Sequence, residues 1–171
     1  MLYYGTSGTG SIPHPGTSDI EATTKVTLTH VPYKGDAPML QDLLGDRLSF
    51  GAVLVSSLTG QLNSGALRLI AVYADKRHPS FPDVPTLKDA GLPVVQASFG
   101  GVLAPARTPD AVIARLEASC RAAVASPKYQ EWARGANQIV DFRSGKDFEN
   151  KVREDSRLKA ATILRLGLGS P

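Results

Sequence analysis

The sequence predicts an α/β protein, and three observations predict it. Short β-branched segments alternate with helix signals through the first hundred residues; glycine-containing loops follow the strand ends; and after Pro105 only helical patterns remain. The elements follow in order. Leu2 to Tyr4 is a strand candidate, running into the loop Gly5-Thr-Ser-Gly-Thr-Gly-Ser11. Val26 to Val31 alternates apolar and polar residues over β-branched types, a second strand. Pro32-Tyr33-Lys34-Gly35 turns the chain into a helix from Ala37 to Leu44, stopped at Gly45. Leu48 to Leu54 is the next strand, and a short helix from Ser57 to Asn63 ends near Gly65. Leu67 to Ala74, LRLIAVYA, carries the strongest strand signal and is expected to be central.

Prolines 79, 82, 85 and 93 punctuate what comes next, leaving room for one short helix, Leu87 to Ala90, with Thr86 as N-cap and Gly91 closing it. Val94 to Leu103 is extended again. Thr108 as N-cap and Pro109 at the first helical position start a helix, Asp110 to Val124, whose Val112, Leu116, Cys120 and Ala123/Val124 share a face. A further helix follows Ser126-Pro127 and stops at Gly135, and Ser144 with Asp147 forms a weak capping box for a last one ending near Leu166. Strands joined by helical crossovers imply a parallel or mixed sheet covered by helices. There is no internal repeat.

Composition excludes several classes. The 171 residues are 42% hydrophobic and 20% charged, an ordinary globular balance with room for one domain or two small lobes. One cysteine excludes an intrachain disulfide framework, and three scattered histidines (His14, His30, His78) argue against a metal centre. No cofactor is implied. A net charge of +3, with basic and acidic residues interspersed, argues against a nucleic-acid partner. No segment approaches the roughly 18 apolar residues of a membrane span. The opening MLYYGTSGTG has no charged n-region, apolar h-region or cleavage site, so the sequence as it stands is expected to remain cytosolic. Its abrupt start on a strand and a functional-looking loop also raises the expectation of an N-terminally truncated chain.

The loop GTSGTGS is the most informative local feature. Its glycines permit backbone conformations in which several N–H groups converge on one spot, and a following helix would add a positive N-terminal end. Ser7, Thr9 and Ser11 add hydroxyls without charge. It is not a P-loop, since no Lys-Ser/Thr pair follows, and Pro13 stands where the dinucleotide fingerprint needs a glycine. The same residues also suit a plain flexible turn. Ligands of open α/β sheets sit beyond the carboxyl ends of strands. If the strands are parallel, GTSGTGS, Tyr33–Asp36 and Val53–Ser56 line one rim, where Lys34 supplies charge or is merely solvated. Cys120 is expected buried on its helix, His14 structural, His78 exposed in a loop and Trp132 a packing anchor. No convergent acid–base set stands near the loop, which favours binding over catalysis.

Taken together, YGTSGTGS with His14 just after it, THVPYKGDAP at 29–38, the Leu40–Gly45 helix end, SGALRLIAV at 64–72, FPDVPTLKDAGLP at 81–93 and FGGVLAPARTP at 99–109 resemble the Bug or TctC-like extracytoplasmic solute receptors of tripartite tricarboxylate transporters. The resemblance implies a periplasmic-binding-protein-like lobe, with a mixed, mainly parallel sheet flanked by helices plus a C-terminal helical segment. It implies residues 1–104 as the second, ligand-binding lobe of a clamshell, and 105–171 as helices returning to a first lobe. It implies a periplasmic receptor for a di- or tricarboxylate or an amino acid, partnered by membrane transporter subunits, and no enzyme. Two places depart from the family pattern: Val53-Leu54 replaces an Asp-Asn pair, and PGTSDIEATTK weakens the helix after His14.

The site expected from these readings comprises Thr6, Ser7, Gly8, Thr9, Gly10, Ser11, Tyr33, Lys34 and Val53, holding a carboxylate through loop amides and hydroxyls. The competing readings are an enzyme cradling an anion in the same loop, with Asp36, His14 or His30 as base, and a ligand-free interaction remnant. Apolar faces at Val112, Leu116 and Cys120 and at Phe148 and Val152 are expected to be exposed and to favour a homodimer.

Overall fold

The computed structural model describes residues 1–96 and 98–169. Its sheet is built on β1 (Leu2–Thr6), which lies between β2 (Leu28–Pro32) and β3 (Phe50–Gly51), all parallel, in the order β2-β1-β3. Tyr4 pairs with His30 on one side and Phe50 on the other. The expected mixed character is absent from this ladder, and the third strand shrinks from Leu48–Leu54 to two residues.

Helix α1 (Pro13–Thr24) connects β1 to β2, and α2 (Asp36–Leu44) connects β2 to β3. Parallel neighbours need such crossovers. α2 packs tightly because the strands beneath it carry glycines. A Cβ on Gly5 would lie 2.6 Å from Met39 Cγ, and one on Gly51 would lie 2.8 Å from Met39 Sδ. Met39 is fully buried and forms a core with Leu40, Leu48 and Leu58, flanked by Val31, Leu43, Val53 and Leu62. The expected Ser57–Asn63 helix is a 3-10 turn, Val55–Leu58, leading directly into α3 (Thr59–Asn63).

Two expected elements do not form. Leu67–Ala74 has the local propensity of a strand, but among the described residues it makes a β-bridge only at Val72, which pairs with Thr86; Ile70 stays 68% exposed. Propensity without a neighbouring strand gives extended chain, not a ladder. Leu87–Ala90 is a turn rather than a helix. The capping pattern that suggested it is present, with Asp89 N–H donating to Thr86 Oγ1 and Thr86 N–H donating to Asp89 Oδ2, but Gly91 ends it after one turn at φ +82°. In the segment from Val94 to Leu103 the described residues form no strand, Ala97 lies outside them, and Gln96 N–H donates to Tyr73 O.

The chain divides into two compact units, residues 1–98 with the segment from Lys159 onward, and Phe99–Leu158. The second contains α4 (Asp110–Ala125), α5 (Pro127–Gly135) and the greater part of α6 (Gly145–Arg165). Ser126 caps α5, accepting from Tyr129 N–H, and the Ser144–Asp147 box opens α6. Thr108 does not cap α4: Pro109 occupies the N-cap position and its carbonyl accepts from Val112 and Ile113. α4 has no buried residue, so Cys120 is only half-buried. Trp132 is 54% exposed, tilted against Tyr129, and the neighbouring Ala133 is the buried anchor instead. Val112, Leu116 and Val152 are exposed as expected. Phe148 is not, because it closes edge-on against Phe99 and over Gly101, where a Cβ would meet its ring. Among the described residues no helix is long and apolar enough to cross a membrane.

Candidate functional site

The three loops at the carboxyl ends of the parallel strands come together, held by a short list of hydrogen bonds. Tyr33 N–H donates to Thr6 O at 3.0 Å and Gly35 N–H to Ser7 O at 3.2 Å, which ties the second loop to the first. Asp36 Oδ2 accepts from Ser57 Oγ at 2.6 Å, tying the second to the residues after β3. Gly8 sits at φ +144° with the position of a Cβ 3.4 Å from Tyr33 O, and Gly10 at φ +78°. Both backbones lie where a β-branched residue is strained.

The glycine loop is organised from below. Thr6, fully buried, donates its hydroxyl to Gly8 O at 3.1 Å, accepts from Gly8 N–H, and lies 2.7 Å from His30 Nε2. His14, buried at the start of α1, accepts the Gly10 N–H on Nδ1 at 3.1 Å. Ser11 N–H closes on Gly8 O, and His14 N–H on Ser11 O. The side chains beneath form one column. His14 stacks on His30 (4.1 Å between centroids), His30 on Tyr4 (4.9 Å), and Tyr4 on Phe50 (5.6 Å). Burial and the neighbouring His14 push His30 down to about 4, and burial lowers His14 against the opposing effect of Glu21. Burial, with Glu21 and Tyr73 adding to it, pushes Tyr4 up to about 12. At neutral pH the column is uncharged.

These bonds decide what the loop can still offer. The Gly8, Gly10 and Ser11 amides are already occupied, by Thr6 Oγ1, His14 Nδ1 and Gly8 O. Among the described residues the Ser7 and Thr9 amides make no hydrogen bond, and Ser11 Oγ is a buried atom without a partner. The start of α1 adds few donors, since Pro13 and Pro15 have no N–H and Ile12 provides no side-chain cap. α1 nevertheless forms all 12 residues. It contributes mainly its dipole, with no acidic residue in its first turn to oppose an incoming anion.

The remaining expected residues lie as follows. Thr6 is committed beneath the loop, its hydroxyl already shared among three partners. Tyr33 reaches the rim by its backbone, while its hydroxyl donates to Asp42 Oδ2 at 2.7 Å and, with Arg47, holds that carboxyl below the usual range. Lys34 is exposed and makes no ion pair among the described residues. Val53 packs its side chain on the Met39 core and offers an apolar wall. Cys120 and Trp132 belong to the second unit. His78 is a half-buried loop residue whose Nδ1 accepts from Ser80 N–H, its ring tilted against Phe81. Sequence reading missed the support under α1: Thr17 Oγ1 lies 2.8 Å from Tyr73 Oη, and Gln96 packs beside Gly16. The only signal was the small, polar character of Gly16-Thr17-Ser18, which a lone sequence does not separate from a loop. Among the described residues no group of three or more His, Cys, Asp or Glu is placed to hold a metal ion.

The arrangement suits a small anion at a parallel-sheet rim, with free amides, hydroxyls and one exposed lysine. Comparison with known proteins agrees with that architecture. A UPF0065 protein from the tcbD-tcbE intergenic region of Pseudomonas sp. strain P51 is 34% identical over 171 residues, covering 93% of this chain and 51% of its own length. Among solved structures, Rpa4515 of R. palustris with adipate superposes with a TM-score of 0.87 at 30% identity, covering 97% of this chain and 56% of that one. MatC (Rpa3494) from Rhodopseudomonas palustris with bound malate gives 0.69 at 26%, covering 96% and 55%. The chain thus spans about half the length of these three relatives. The TctC profile, described as the tripartite tricarboxylate transporter family receptor, matches residues 1–168, and the chain belongs to that family.

Proposed function

We propose that this chain binds a small carboxylate as the receptor of a tripartite tricarboxylate transporter, and that it performs no catalysis. Residues 1–104 act as the ligand-binding lobe and 105–171 as the helices that return to the rest of a clamshell. One observation carries the reading: the Ser7 and Thr9 amides and the Ser11 hydroxyl are unpaired at the meeting point of three strand-end loops. Backbone N–H groups in such a loop recognise carboxylate oxygens without needing a charged side chain. Adipate and malate, the ligands of the two superposed relatives, support a dicarboxylate as the ligand class; in this reading one carboxylate enters the glycine loop while the other faces Lys34 and the Val53 wall. The receptor works in the periplasm and hands its ligand to the membrane subunits. Self-association through the second unit belongs to the same proposal and is read by sedimentation.

Calorimetry and thermal shift with adipate, malate, ATP and a neutral ester test it. Carboxylates at about 100 times their dissociation constant should stabilise the fold by about 2.7 kcal/mol. Stabilisation by ATP alone, or hydrolysis of the ester, would favour an anion-cradling enzyme instead.

A further inference from the structure

We propose that His14 is the positioning residue of the glycine loop: its Nδ1 accepts the Gly10 N–H and so holds the loop in its anion-binding form, and protonation of that nitrogen releases it. The geometry makes the dependence direct. Gly10 N–H lies 3.1 Å from His14 Nδ1, so the neutral ring carries its proton on Nε2. A proton added at Nδ1 would set two donors against each other at that distance, and the bond would be lost. Gly10, at φ +78°, is the residue whose backbone turns the loop toward α1, and the unpaired Thr9 amide precedes it. Freeing Gly10 therefore disperses the donors around Thr9.

Burial keeps that nitrogen bare at neutral pH. On β2, His30 lies against its ring at 4.1 Å. On β1, Tyr4 closes the far side of His30 as a neutral phenol, and Phe50 of β3 follows it. Glu21, on α1 itself, is the acidic group that acts on both His14 and Tyr4 and favours the charged ring, while Tyr73 acts on Tyr4 from the segment after α3. His30 holds the other end of the loop through Thr6, whose hydroxyl bridges to Gly8. The two histidines thus grip the loop at Gly8 and at Gly10 while stacked on each other.

The inference deepens the carboxylate reading and rests on it for its binding arm only. Three proteins are compared between pH 7.5 and 4.5: the wild type, His14→Asn, whose Oδ1 can accept from Gly10 but takes no proton, and His14→Ala. In ligand-free protein, the Gly10 amide resonance should move with pH in the wild type, at a midpoint below the 6.5 of a free imidazole, and stay fixed in His14→Asn. For adipate, His14→Ala should bind about tenfold more weakly than wild type at pH 7.5, and His14→Asn should recover most of that loss. On acidification the wild type should lose about fivefold more affinity than His14→Asn. Protonation of adipate itself is common to both, so the difference belongs to His14. A Gly10 resonance that ignores pH in the wild type, or equal losses in the two proteins, would overturn the proposal. If adipate binds none of the three while Gly10 still titrates only in the wild type, the positioning role stands and the carboxylate reading falls.

Discussion

Helix α1 reads PHPGTSDIEATT and buries five consecutive residues at its start, whereas α4 reads DAVIARLEASCRAAVA and buries none. By intrinsic propensity the order should be reversed, since α4 is rich in Ala, Leu, Arg and Glu while α1 opens with two prolines, a glycine and polar residues. α1 is held by its surroundings. Thr17 meets the Tyr73 hydroxyl and donates to Pro13 O, Thr162 donates to Asp19, and Arg165 reaches Ser18 and Asp19. α4 is held by its own backbone and by surface pairs such as Arg121–Glu117. The difference shows where the molecule has spent specificity: on the helix that carries His14 to the glycine loop.

If that contrast is right, added bulk should be costly in α1 and nearly free in α4. The sharpest case is Gly16, where a Cβ would lie 2.9 Å from Tyr73 Cε1 and 3.0 Å from Gln96 Oε1. Gly16→Leu should lower the unfolding free energy by about 3 kcal/mol, as overpacking a filled site does. Urea melts read it, and an effect below about 1 kcal/mol would mean that α1 is less tightly seated than its burial implies.

Next in size is the loop itself. Gly10→Val places a β-branched residue at φ +78°. The strain, about 1–2 kcal/mol, should show as a loss of adipate affinity of tenfold or more, with the fold retained by circular dichroism. Full affinity in both Gly10→Val and Gly8→Val would remove the loop amides from the site.

Acid should separate the two regions as well. His30 is pushed down to about 4 in the folded protein against 6.5 when unfolded, so between these values the unfolded chain binds more protons. Stability is therefore intact above pH 6.5 and falls as pH drops through 4. For a part-exposed ring screened by solvent the loss is on the order of 1 kcal/mol. His30→Gln should flatten that part of the profile, and an unchanged slope would show that the stack contributes nothing.

How much of this was legible in the sequence depended on the range of the interaction. α2, α5 and α6 could be read because their start signals are local: the turn at Gly35, Ser126-Pro127 and Ser144–Asp147. Leu67–Ala74 misled because alternation reports willingness to pair, and among the described residues only Val72 forms a β-bridge. The glycine loop could be read from its composition, and the meeting of three loops from the parallel rule. Which amides remain free could not. That depends on the His14 Nδ1–Gly10 contact and on the Tyr4–His30 register, which brings Thr6 and His30 together across 24 residues. Lys34 and Ser11 were visible as residue types, but the exposure of one and the unpaired oxygen of the other are properties of the folded loop.

The smallest expected effect is the one that tests α4. Leu116 is 41% exposed and Val112 47%, on a helix with no buried residue. Replacing both with Gln removes apolar surface that water already reaches and keeps helix-forming residues in place, Gln being among the better ones. The change in unfolding free energy should stay within about 0.5 kcal/mol per site, the range of ordinary surface substitutions. Adipate affinity should not change, since neither residue belongs to the unit that carries the glycine loop. Any self-association through this face should weaken, because exposed apolar side chains are what would drive it. Sedimentation of the double variant beside the wild type reads the last point, and urea melts read the first. A loss of 2 kcal/mol or more would be typical of buried residues, and would show that α4 is packed by its surroundings as α1 is, erasing the contrast between them.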